Sequence, residues 1–174
     1  MDAWRFARTF WGESLILLRN LPRRHLLEVL TIGFPFCAFK ILAGLVLHAS
    51  ASAPAARVLG LILIGLGGLD ALINAANFLG LLFRGHRCTQ ACFFSVLTNP
   101  LKAITRHPEW RWQDLGNSLD VLTSFSLVAT MIAGSGLARL TPPEMQFWNA
   151  SVILNVMGAG LTRLGSSLKN FSEP

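Results

Sequence analysis

Four apolar stretches, residues 26–47, 58–83, 119–138 and 147–164, occupy most of this 174-residue chain. A helix needs about 20 residues to cross a hydrocarbon core about 30 Å thick. Each stretch is close to that length or longer, so the expected fold class is an all-α integral membrane protein built as a four-transmembrane-helix bundle. Only 14% of residues are charged, against about 25% in a soluble domain, and the mean hydropathy is +0.50.

The net charge of +6 would by itself suit nucleic acid. Its distribution argues against that. Arg5, Arg8, Arg19, Arg23 and Arg24 precede the first stretch, and Arg84, Arg87, Lys102, Arg106 and Arg111 lie between the second and third. Arg163 and Lys169 end the fourth, whereas the two opposite connections hold only Arg57 and Arg139. Basic residues stay on the cytoplasmic side of a membrane. Both termini are therefore expected in the cytoplasm, as in a bacterial inner membrane, or in the matrix or stroma of an organelle. Asp2, Glu13 and Arg19 argue against a cleavable secretory signal. Cys37, Cys88 and Cys92 fall in the first stretch or on the reducing side, so no structural disulfide is expected.

The expected organisation has five parts. Residues 1–24 form an interfacial amphipathic helix, with Trp4, Ala7, Trp11, Leu15 and Leu18 at helical spacing. That face suits either lipid or a partner subunit. Residues 25–83 form the first transmembrane hairpin, with Pro35 expected to bend its first helix. Residues 84–117 form a basic cytoplasmic-side connector, in which 89–97 can make a short helix. Residues 118–165 form the second hairpin, capped by Asn117 or Ser118, and 166–174 a short tail. Trp4, Trp11, Trp110, Trp112 and Trp148 all flank the stretches, where an indole anchors at the headgroup level. Residues 27–72 align without gaps on residues 119–164 with nine identities, and this offset places Glu28 opposite Asp120. It suggests two duplicated hairpins.

The second stretch carries the sharpest pattern. Gly60, Leu63, Gly67, Asp70, Asn74, Asn77, Leu81 and Arg84 recur at alternating steps of three and four, which puts them on one helix seam. A mid-bilayer carboxylate costs about 3 kcal/mol on insertion scales, so Asp70 should turn away from lipid. Two readings follow: glycines and amides that pack helices together, or a site for an ion, a proton or a polar substrate. Lys40 is the expected counter-ion. At 1.5 Å per residue it lies roughly 21 Å from the inner end of its helix, and Asp70 roughly 18 Å from the outer end of the next. Milder stripes run through Thr123, Ser126, Thr130 and Gly134, and through Ser151, Asn155, Gly158 and Thr162.

No nucleophile–base–acid set is visible. Glu109 and Asp114 lie among Trp110, Arg111 and Trp112 and read as an interfacial anchor. His86, Cys88, Cys92 and His107 have zinc-ligating chemistry, but their spacing matches no closed zinc site. His25 and His86 share the inner boundary, yet neither lies within a span as axial haem ligation requires. No enzyme activity, metal or cofactor is expected. The expected partners are membrane lipids and either other membrane subunits or further copies of this chain. The leading functional expectation is a non-catalytic subunit or scaffold of a membrane assembly. The alternative is a small oligomeric transporter or channel using Asp70, Asn74, Asn77 and Lys40.

Overall fold

The computed structural model describes residues 21–90, 92–98, 100 and 112–172; for 21–24, 113 and 162–172 it describes the backbone alone. Residues 1–20, with Trp4 and Trp11, and Trp110 lie outside the described residues. The described residues are helical apart from their turns, with no strand among them. Three helices, His25–Ser50, Pro54–Arg84 and Asp114–Ala133, are long and apolar enough to cross a membrane.

The first long helix has three parts. Helix α1 (Leu21–Glu28) runs through a π turn (Val29–Gly33) into α2 (Phe34–Ser50). Pro35 explains the π turn. Its ring lacks an N–H and crowds the carbonyl four residues back. A local widening of the helix accommodates both effects, and the Phe34 N–H donates to the carbonyl of Val29. The proline expected to bend this helix therefore sits beside a register change.

Helix α2 gives way to α3 (Pro54–Arg84) through a turn with extended Ala51 and Ala53. Pro54 suits the first turn because an N–H there has no helical acceptor. Arg57 Nε donates to the Ala51 carbonyl over 2.8 Å and closes the turn. Gly85, in the left-handed conformation at φ 72°, stops α3 at its other end. Helix α2 and α3 approach closely at Gly44, Gly60 and Gly67. A Cβ on Gly60 would sit 2.7 Å from the Gly44 carbonyl oxygen, and one on Gly67 would sit 3.0 Å from that of Cys37. Small residues allow backbones to pack this tightly.

Helix α4 (Phe93–Thr98) is short and packs on α5 (Trp112–Ala133). Helix α5 begins before the expected cap. Asn117 lies inside it, and its side chain accepts a hydrogen bond from Ser95 on α4 over 2.6 Å. A 3-10 turn (Gly136–Arg139) leads to α6 (Pro142–Ser172). Thr141 and Glu144 form the start of α6. Glu144 Oε2 accepts the Thr141 N–H over 2.7 Å and the Thr141 hydroxyl over 2.6 Å. This is half of a capping box. The hydrogen bonds from Thr141 hold the Glu144 carboxyl below its ordinary range.

Helix α2 is the centre of the bundle, packing against α3, α5 and α6. Its Phe36, Phe39, Leu42 and Ala43 form the apolar core with Met131 and Trp148. The Phe39 and Trp148 ring centroids lie 5.0 Å apart. The expectation for Trp148 is corrected here: at 3% exposure it fills the core instead of anchoring at a headgroup. Among the described residues α5 and α6 make little contact with each other. The tight glycine crossing of the first hairpin therefore has no counterpart in the second, and neither does the π turn. Local structure gives no support to a duplication.

Candidate functional site

Helix α3 buries Gly60, Leu63, Gly67, Asp70, Asn74, Asn77 and Leu81, together with Gly80, and leaves Arg84 exposed. The seam thus faces inward along most of its length. The groups it meets come from α2, the π turn, the segment after Gly85 and α4.

Lys40 of α2 has no exposed surface. Its Nζ donates to Asp70 Oδ2 over 2.5 Å and also to Asp120 Oδ1 on α5. The three side chains join three helices in one ion triad. The Phe94 ring of α4 lies across the ammonium, 5.9 Å from Nζ to the centroid. Both oxygens of Asp70 are occupied, because Oδ1 accepts the backbone N–H of Phe93 over 2.6 Å. Asp120 was not singled out from the sequence as a site residue. It stands at the start of an apolar run, where a charge reads as a helix end. The available signal was its four-residue spacing from Gly116 and Ser124, both of which are also buried.

The amides serve the backbone. Asn74 Nδ2 donates to the Asp70 carbonyl over 2.9 Å and to Cys37 Sγ over 3.5 Å. A Cβ on Gly33, in the π turn, would collide with the Asn74 side chain. Asn77 Nδ2 donates to the Gln90 carbonyl over 2.8 Å, and its Oδ1 accepts the Thr89 N–H over 2.9 Å.

These bonds reveal a return segment. After Gly85 the chain runs back along α3: Cys88 lies beside Gly80, Thr89 and Gln90 beside Asn77, and Phe93 beside Asp70. Asp70 is roughly 21 Å along α3 from Arg84 at 1.5 Å per residue. Residues 86–90, 92 and 93 therefore do not lie flat at the end of the bundle, as a surface connector would. The physical reason is that Asn77 and Asp70 supply hydrogen bonds to backbone groups that no helix satisfies there. The segment then descends as α4 against α5. Ser95 packs on Gly116, and the Thr98 hydroxyl donates to the Trp112 carbonyl over 2.9 Å. At the foot of the bundle Arg87 Nη2 donates to Glu28 Oε2 over 2.8 Å and ties the segment to α1.

The remaining candidates lie apart. Cys88 is exposed and Cys92 is buried, the latter against Ser95 and Asn117. His107 lies outside the described residues. No group of three or more His, Cys, Asp or Glu side chains suited to a metal occurs among the described residues. Trp112 is half-buried at the start of α5. Of the milder stripes, Ser126 and Thr130 of α5 and Gly134 just after it are exposed, whereas Ser151, Asn155 and Gly158 of α6 are buried. Gly158 packs on Thr31 of the π turn. No protein-family model, curated protein or solved structure matches this chain.

Proposed function

We propose that this protein is a non-catalytic integral membrane subunit that organises neighbouring membrane proteins or lipids. In this reading α6 is the fourth span, both termini lie on the cytoplasmic side (or in a matrix or stroma), and the basic residues around 84–117 face that side. One observation carries the proposal: the polar side chains of the seam are bonded within the chain itself. Lys40 holds two carboxylates, Asn74 holds Asp70 and Cys37, and Asn77 holds Thr89 and Gln90. A substrate site needs groups left free to exchange partners, whereas these groups fix the packing of helices. The exposed apolar residues Leu61, Ile62, Leu72, Leu122, Phe125, Ile153 and Val156 are then the surfaces offered to lipid and to other subunits.

The test is purification of the tagged native protein in mild detergent, followed by mass spectrometry. Stoichiometric membrane subunits are expected. A lone homo-oligomer would overturn the reading. The second reading is a small oligomeric transporter, favoured by a single feature: the triad has two carboxyls for one ammonium. It requires Asp70→Asn to abolish flux in liposomes while assembly persists.

A further inference from the structure

We propose that Asp120 is a proton-binding site inside the bundle, carrying one proton on Oδ2 as a neutral acid in the resting protein. The first support is the charge balance of the triad. Lys40 contributes one positive charge, and Asp70 and Asp120 would contribute two negative ones. All three are buried, and a buried net charge without a partner is strongly disfavoured. When two carboxyls share one site, a single proton between them removes that charge. Among the described residues no second cation reaches the pair. Arg87 is engaged by Glu28 at the foot of the bundle. The other titratable groups beside the triad are the thiols of Cys37 on α2 and Cys92 ahead of α4. The one described ionisable side chain of α6, Glu144, lies at its start and is bonded to Thr141.

The second support identifies the carboxyl. Both oxygens of Asp70 accept hydrogen bonds from N–H donors, which suits an ionised carboxylate. Asp120 accepts from Lys40 through Oδ1 alone, so Oδ2 is the oxygen free to take a proton. Its side chain keeps 10% exposure against 2% for Asp70 and none for Lys40, so Asp120 is the least enclosed of the three.

The third support is independent of the triad. Ser124, one turn further along the buried face of α5, is wholly buried, and its hydroxyl has no hydrogen-bond partner. A buried hydroxyl is normally satisfied. It makes no hydrogen bond to Asp120, and it marks a second polar group on the same buried face of α5 whose partner is not fixed. The binding step is simple: a proton from water joins Oδ2, the triad goes from one negative charge to none, and no other bond changes.

Infrared spectroscopy of the protein in liposomes at pH 7 tests this. The expected result is the C=O stretch of one carboxylic acid per chain, shifting in D2O. It should vanish in Asp120→Asn. It should also vanish in Asp70→Asn, because one ammonium then faces one carboxyl and Asp120 ionises. These variants are isosteric, and helical content measured by circular dichroism reports whether each has folded. A wild-type spectrum without the band would overturn the proposal, as would a band that persists in folded Asp120→Asn. Stabilisation by sodium or potassium in the absence of the band would assign the balancing charge to a metal cation and equally overturn it. The outcome is independent of whether partner subunits co-purify.

Discussion

Phe93 donates its backbone N–H to Oδ1 of Asp70 over 2.6 Å, so the first residue of α4 is fastened to the middle of α3. The carboxylate serves two neighbours at once: one oxygen orders the return segment and the other holds Lys40. Removing charge from Asp70 should therefore loosen both.

Lys40→Met should be among the most damaging single substitutions. It removes the ammonium and leaves two carboxyls buried together, and breaking a buried ion pair costs about 3–5 kcal/mol. The triple variant Lys40→Met/Asp70→Asn/Asp120→Asn carries no buried charge and should recover a large part of that loss. Thermal unfolding in detergent checks the order: single below triple, and triple below wild type.

Asn77→Ala should release the return segment and leave the long helices in place. The two short hydrogen bonds, to the Thr89 N–H and the Gln90 carbonyl, are lost, along with a longer one from the Thr89 hydroxyl. At about 1 kcal/mol for each short bond the local opening becomes easier by about 2 kcal/mol, or roughly thirtyfold. Hydrogen exchange of the amides in 86–93 should accelerate by that factor, while α2 exchanges as before.

Gly60→Val and Gly65→Ala form a contrasting pair on one helix. A Cβ at position 60 runs into the Gly44 carbonyl and the His48 backbone, whereas one at 65 meets nothing within 4 Å. Overpacking costs typically about 1–3 kcal/mol, so Gly60→Val should lower the melting temperature. Gly65→Ala should stay within about 1 kcal/mol of wild type.

Glu144→Gln should show a pH signature. The Glu144 carboxyl lies below its ordinary value of 4.5 because Thr141 donates to it. A lowered folded value means that the carboxylate stabilises the fold fully above pH 4.5, and that this contribution fades as pH falls through the lowered value. The wild type should therefore melt higher than the variant at pH 7, and the gap should close on acidification below pH 4.5.

The sequence reading and the structure part company for identifiable reasons. The seam of α3 was legible because steps of three and four put its residues on one face, and the glycines and amides along it are buried. Lys40 could be placed opposite Asp70 by helix rise alone. Asp120 was hidden by its position at the edge of an apolar run, which carries no information about which way the residue faces. The return segment was hidden because its cause is tertiary: Thr89, Gln90 and Phe93 are held by side chains of another helix, and nothing in their own periodicity reports it. Trp148 failed for a related reason. Proximity to a span boundary does not distinguish a ring facing headgroups from one packed on Phe39.

The order in which the triad is synthesised has a consequence for how the chain reaches its fold. Asp70 follows Lys40 by 30 residues and Asp120 follows it by 80. Ribosomes add about 5–20 residues per second, so in a bilayer the lysine helix would wait roughly 4 to 16 s for its second carboxylate. During that interval Asp70 alone would match the ammonium, and the helix that completes the triad would still be missing. A membrane chaperone, or an insertion channel that retains early helices, would have its longest opportunity to act then, and release would follow the emergence of α5.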